Sequence, residues 1–231
     1  DPDDPSDDWR TLYNGIILPS VWPPKNINIS SYEPMNVPYL QTPPEVVPID
    51  VGRQLFFDNF LIANTDLERK FYKPKKYAQN PILKPETALE TSNIPGASAK
   101  DGGVWWEPRE QIFKMWYEAG WLNKMAYATS NDGVNWVRPD LNNGSNELLT
   151  LSRFPANSCA VVLDYEASDN ERYKMFLRSP NADATDNAGY CMISSNGKQW
   201  SWFTKTGPCG DRSTMFYNPF RKKWVFSIRT L

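Results

Sequence analysis

Acid–base chemistry in this chain falls to carboxylates, Lys, Tyr or Cys, because none of its 231 residues is histidine. That removes the Ser-His-Asp arrangement, the usual general base and most zinc sites. The three cysteines, Cys159, Cys191 and Cys209, are widely spaced and lack the close pairs of a metal knuckle. They read as three buried thiols, or as one disulfide and a free thiol. Three carboxylates stand beside apolar or aromatic runs. Asp101 in AKDGGVWW and Asp211 in CGDRST each precede an apolar run, where an Asp can also serve only to satisfy the backbone donors of a turn. Glu118 in MWYEAGW is flanked by Trp116, Tyr117 and Trp121. Such rings raise a carboxyl's pKa toward general-acid use, whereas Lys114, on the same side of a strand, offers a plain salt bridge.

Charge and hydropathy narrow the partners. Asp and Glu number 27 against 25 Lys and Arg, and the basic residues form only short groups such as KPKK at 73–76, so no nucleic-acid partner is expected. No apolar run reaches the ~20 residues of a membrane-crossing helix. The acidic, Pro-rich opening DPDDPSDDW has little to pack, and residues 1–11 read as a disordered leader. Without an initial Met or a signal peptide, it fits a secreted, periplasmic or lipid-anchored cell-surface protein whose targeting segment has been removed. Residues 12–48, with LPSVWPPK and QTPPEVVP, hold too much Pro for long helices or central strands. They read as an extended arm anchored by Ile16, Ile17, Trp22, Tyr39 and Leu40.

From 49 onward, short runs rich in Val, Ile, Phe, Tyr and Trp are broken by Asn, Asp, Gly and Pro, the pattern of an all-β fold. QLFFDNFLIAN and LERKFYKP read as strands. A repeat follows. GGVWWEP, QIFKMWYEA and KMAYATS lead to the turn SNDGVNW, and CAVVLDY, RYKMFLRS and GYCMISS lead to its near copy SSNGKQW. STMFYNP and KKWVFSIR begin a third copy. Asp-Gly and Asn-Gly supply the positive φ of a tight hairpin. Each unit is an antiparallel meander of about four strands with a period of roughly 50 to 60 residues, the pattern of a β-propeller blade, with Trp136 and Trp200 packed between blades. The boundaries are 49–98 for a clasp strand and lead-in, 99–140 for the first blade, 157–204 for the second and 211–231 for the start of the third. Such a set cannot close a propeller by itself, so an N-terminal fragment is expected, completed by the remainder of the same protein beyond Leu231.

GRQLFFDNFLI, NPILKPE, FKMWYEA, YATSNDGVNWVRPDL, ERYKMFLR and FSIR together resemble a bacterial group of five-bladed β-propeller proteins related to the invertase and arabinanase/β-xylosidase glycosidases. The resemblance covers about residues 38–231. It implies hydrolysis of glycosidic bonds in an oligosaccharide or polysaccharide by carboxylates gathered in a funnel at one end of the propeller axis, or binding of the sugar without catalysis, or a scaffold role. No organic cofactor is implied, although calcium or sodium on the axis is compatible with it. On this resemblance Asp101 matches the base or nucleophile, Asp211 enters the third blade beside Arg212, and Glu118 is the general-acid candidate. The second blade enters through RFPANSCAVV, which offers Asn157 but no carboxylate, a departure from the three-acid pattern. Trp105, Trp106, Trp116 and Trp121 are the rings available to stack on a sugar face. The resemblance thus implies Asp101, Asp211 and Glu118 for catalysis, with Trp105, Trp106, Trp121, Arg212 and Asn157 for substrate.

Overall fold

A computed structural model describes residues 10–23, 25, 28, 30–34, 40–51, 54–92, 94–152, 159–178 and 188–229. The chain divides into two compact units, residues 1–74 and 75–231.

In the first unit β1 (Arg10–Thr11) pairs antiparallel with β2 (Ile17–Leu18), so the last two residues expected in a leader belong to a hairpin. Ile16 is buried, while Ile17 and Leu40 are exposed and Tyr39 lies outside the described residues. The strands expected over QLFFDNFLIAN and LERKFYKP are not formed. Residues 54–74 are turns and irregular chain, with Leu55, Phe57 and Tyr72 exposed. Val-, Ile- and Phe-rich composition marks a strand only if a neighbouring edge takes its N–H and C=O groups, and no such edge pairs with this segment among the described residues. Asp58 there caps a turn, accepting the Phe60 N–H at 2.9 Å.

The second unit is nearly all β. β3 (Ala97–Glu107), β4 (Ile112–Ala119) and β5 (Lys124–Ser130) form one antiparallel sheet. β6 (Cys159–Leu163), β7 (Tyr173–Arg178), β8 (Ala188–Ser194) and β9 (Ser201–Pro208) form the next, and β10 (Thr214–Asn218) with β11 (Lys223–Ser227) a third. The leading strands lie side by side, β3 against β6 and β6 against β10. One short helix, α1 (Ala88–Thr91), precedes β3, and no described helix is long and apolar enough to cross a membrane. The repeat expected from sequence is therefore present as successive meanders, but its first copy has three strands. Its fourth is reduced to two isolated bridges on β5, Thr129 with Val137 and Ala126 with Glu147, and Pro139, two residues past Val137, has no N–H to continue a ladder.

The two turn motifs fold alike. Ser130 and Ser194 each accept two N–H groups, from Asp132 and Gly133 in one copy and from Asn196 and Gly197 in the other. Asp132 Oδ1 then accepts the N–H groups of Val134 and Asn135, and Asn196 Oδ1 those of Lys198 and Gln199. The glycines carry the positive φ, +73° at Gly133 and +77° at Gly197. What differs is the use of the turn. The Gly197 carbonyl accepts the indole N–H of Trp116 from the neighbouring sheet at 2.6 Å and that of Trp200 at 3.1 Å. Trp116, Trp200, Tyr127 and Tyr173 thereby form one buried aromatic cluster between the first and second sheets.

Beside that cluster lies a buried ion pair. Glu107, the last residue of β3, accepts Arg172 Nε at 2.9 Å and Nη2 at 2.5 Å, the Tyr173 hydroxyl at 2.6 Å and the Arg109 N–H at 3.0 Å. Lys114, also buried, donates to Glu110 at 2.5 Å and to the Tyr173 hydroxyl at 2.8 Å. A second buried carboxyl, Glu90, closes a capping box with Thr87 and accepts Tyr117 Oη at 2.6 Å and Arg138 Nε at 2.7 Å, which ties the 84–91 segment to the first sheet. Burial pushes both carboxyls up, but the donors outweigh it and hold each at about 2 against an ordinary 4.5.

The twin turns give a paired test. A Cβ at Gly197 would lie 2.4 Å from the Trp116 ring, whereas one at Gly133 would meet Phe113 no closer than 3.6 Å. Gly133→Ala is expected to cost about 1–2 kcal/mol from its positive φ alone. Gly197→Ala adds about 1–3 kcal/mol of overpacking, and urea melts of the two variants measure the difference. Acid gives another. Because both folded pKa values lie below the unfolded one, the stability contributed by Glu90 and Glu107 is complete above pH 4.5 and is lost as pH falls toward 2. Thermal melts should show this decline, and Glu107→Gln should melt lower at pH 7 yet lose less on acidification.

Candidate functional site

A cleft runs where β3, β6 and β10 meet. It has a volume of about 450 Å³ and is walled by the length of β6, by Trp105 of β3, by Thr214–Tyr217 of β10 and by Tyr165. Asp101 is its one charged lining residue.

Local sequence explains how Asp101 arrives there. Ala99 pairs with Tyr117 and Val104 with Met115, so residues 100–103 of β3 oppose the single residue Trp116 of β4. This bulge, KDGG in sequence, breaks the strand's alternation, and bulges re-aim the side chains they carry. Asp101 Oδ2 is buried, and among the described residues no donor reaches it. The turn acid Asp132 is the contrast, with Oδ1 and Oδ2 both occupied by donors of its own turn. A carboxylate oxygen buried without a donor costs about 1–3 kcal/mol or more.

Trp105 shares the cleft, and its indole N–H donates to the Val161 carbonyl of β6 at 2.7 Å. That bond holds the ring across the junction of two sheets, where it also packs on the apolar clusters of both junctions. The other expected residues lie elsewhere. Glu118 is buried, and Oε1 accepts the Leu122 N–H at 2.8 Å in the β4–β5 turn. Its expected salt bridge to Lys114 is absent, since Lys114 is engaged by Glu110 and Tyr173. Asp211 is paired with Arg229, and the Gly210 N–H donates to the Arg229 carbonyl beside it. The cation at Asp211 is therefore Arg229, from the FSIR segment, rather than the sequence neighbour Arg212, which is exposed with φ +62°. Trp106 packs on Phe113 with ring centres 4.8 Å apart, on the other face of β3 from Trp105. Trp121 is exposed in the β4–β5 turn, with its N–H on the Ile94 carbonyl. Asn157 lies outside the described residues.

Tyr165, Phe216 and Tyr217 line the cleft and were not singled out from sequence. A signal for them existed. Aligning GGVWWEP, CAVVLDY and STMFYNP sets Trp105 over Val162 and Phe216, Trp106 over Leu163 and Tyr217, and Pro108 over Tyr165 and Pro219. The outlet end of each leading strand thus carries an aromatic ring. All three cysteines are buried free thiols, as the sequence favoured, and burial raises the thiols of Cys191 and Cys209.

The arrangement offers one carboxylate among aromatic and aliphatic walls, suited to hydroxyl donors on a molecule with apolar faces. No family model and no curated protein matches the chain. Among solved structures, a β-fructofuranosidase from Schwanniomyces occidentalis complexed with fructosyl-erythritol is similar at 15% identity over 58% of this chain and 29% of that one, with a TM-score of 0.39. The same organism's fructofuranosidase complexed with fructose matches at 15% identity, 58% and 30% coverage and a TM-score of 0.36. An N-acetylgalactosamine deacetylase from F. plautii, in complex with blood group B trisaccharide, matches at 17% identity, 55% and 39% coverage and a TM-score of 0.29. The chain spans under a third of the length of the fructofuranosidases it matches, and the likeness is a partial one of backbone alone.

Proposed function

We propose that this chain forms part of a carbohydrate-active, five-bladed propeller protein that takes a sugar in the cleft between β3, β6 and β10, with Asp101 as base or nucleophile in hydrolysis of a glycosidic bond. The observation that carries this reading is the buried, unpartnered Oδ2 of Asp101 beside Trp105. Rings offer flat apolar faces to the C–H side of a pyranose or furanose, and a carboxylate accepts its hydroxyls. Hydrolysis needs a second carboxyl, about 5–5.5 Å away for retention or about 6.5–9.5 Å for inversion.

A second reading, sugar binding without hydrolysis, has its own support. Glu118 and Asp211, the other expected acids, are engaged by the Leu122 N–H and by Arg229, and the described cleft lining supplies no second carboxylate.

Assay on a panel of aryl glycosides, with sugar-induced quenching of tryptophan fluorescence measured alongside, separates the two. Under the first reading Asp101→Asn retains the fold by circular dichroism and loses about 10²–10⁴-fold in kcat. Quenching without turnover, weakened in Asp101→Asn, supports the second. Turnover undiminished by Asp101→Asn, or neither turnover nor quenching with any sugar, overturns the assignment of this cleft.

A further inference from the structure

On the outer side of the first sheet, beyond β5, lies a pocket unlike the Asp101 cleft. It has a volume of about 310 Å³, sits between segment 79–86 and residues 134–138, and shares no lining residue with the cleft. Val137 bridges to Thr129 of β5, so the pocket stands three strands away from β3 along the sheet.

A fixed guanidinium builds it. Arg138 donates through Nε to the buried Glu90 at 2.7 Å and through Nη2 to the Lys84 carbonyl at 2.6 Å, which seats segment 84–90 against residues 134–138. The third nitrogen, Nη1, reaches the Glu86 carboxylate at 3.4 Å, beyond the roughly 3.2 Å of a good N–H···O bond. The Glu86 side chain is 67% exposed, and an exposed pair so loosely closed contributes little. The Lys84 ammonium has no partner among the described residues. The amide oxygen of Gln79 is taken by the Tyr77 hydroxyl at 2.8 Å, which leaves Gln79 its N–H donors. Asn135 is the reverse, since its amide nitrogen donates to Asp132 at 2.7 Å and its oxygen is left to accept. Trp136 lines the same pocket, and its indole N–H is buried without a partner among the described residues.

The side-chain capacity left over is two cationic donors, an amide donor, an amide acceptor and an aromatic ring. Amides and a ring suit the hydroxyls and C–H faces of a sugar, and a volume near 300 Å³ is that of a small ligand site. A neutral sugar leaves Lys84 and Arg138 Nη1 as they are. An acid group gives both a charge-assisted bond, closer than the one Nη1 makes to Glu86.

We propose that this pocket binds an anionic sugar, a carboxylate- or sulfate-bearing residue of a polysaccharide, with Lys84 and Arg138 as its cationic contacts and Glu86 as the side chain it displaces. The site is separate from the Asp101 cleft and does not rest on the reading of that cleft.

Isothermal titration calorimetry of the full 231-residue chain tests this at low salt, where screening is weak. The probes are trigalacturonate, a sulfated galactose trisaccharide and neutral galactotriose. The acidic probes are expected to bind at about 0.1–1 mM, at least about tenfold more tightly than the neutral one, and the tighter of the two names the acid group. Two neighbours should shift that affinity in opposite directions. Lys84→Ala removes a cation that holds no described group and weakens binding about two- to fivefold, whereas Glu86→Gln removes the competitor for Arg138 and tightens it by a similar factor. Asp101→Asn leaves it unchanged. Equal affinity for galactotriose, no heat with either acidic probe at about 10 mM, or loss of binding in Asp101→Asn overturns the proposal. So does weakening by Glu86→Gln or indifference to Lys84→Ala, with the fold of each variant verified by circular dichroism.

Discussion

The carboxylate of Glu107 is the fastening on which the second unit depends. It terminates β3, yet all three side-chain donors that reach it, two from Arg172 and one from Tyr173, belong to the next sheet. Removing an ion pair of this kind from water costs several kcal/mol per ion, which only near-ideal geometry offsets. Here the fork of Arg172 meets both carboxylate oxygens, and a phenol and a backbone N–H complete the shell. Apolar packing alone would let two sheets slide by a residue, whereas a bidentate pair tolerates one register. The cleft beside β6 inherits its shape from that register, since Trp105 reaches Val161 only when β3 and β6 are aligned as the pair demands.

The same economy of position recurs along the repeat. Aligned by their leading strands, Glu107, Asp164 and Asn218 occupy one position. Glu107 binds Arg172 of the next sheet, Asp164 binds Lys174 of its own sheet at 2.7 Å, and Asn218 accepts the N–H groups of Phe220 and Arg221 in the following turn. A polar residue at the end of the leading strand is needed in each copy because the chain turns there and leaves donors unpaired. Which donors it meets is decided by the neighbour, so one position serves as a sheet junction in one copy and as a turn cap in another.

Much of the fold could be read from sequence because the information is local. Alternation, the Asx-Gly turns and the recurrence of three strand patterns located β3 to β8, β10 and β11, and the turn motifs formed the same hydrogen bonds twice. The strands expected at 54–74 failed for a nonlocal reason: pairing needs an edge, and composition does not show whether one is at hand. The site was half legible. AKDGG placed an acid ahead of a strand, but only the register shift between Ala99 and Val104 shows that the acid sits in a bulge. Glu118 and Asp211 looked equally suitable. Their partners, the Leu122 N–H and Arg229, are set by a turn geometry and by a residue 18 positions away. Arg212, next to Asp211 in sequence, sits at positive φ, and the cation on Asp211 is Arg229 instead.

Charge compensation distinguishes the acids of this fold more sharply than sequence context does. Glu90 and Glu107 are buried and saturated with donors, and both are held at about 2. They are ionised at any physiological pH, with every oxygen committed, and cannot exchange a proton with a ligand. Asp132 is held low by its turn in the same way, through the N–H groups of Asn135 and Val134. Asp101 has a buried oxygen that no donor among the described residues satisfies, in a cleft where three sheets present their leading strands. A protein that surrounds its structural carboxylates so completely would have had the means to satisfy this one also, from the backbone N–H groups that a bulge frees. Leaving it unsatisfied is a cost to folding of about 1–3 kcal/mol that Glu90, Glu107 and Asp132 do not carry.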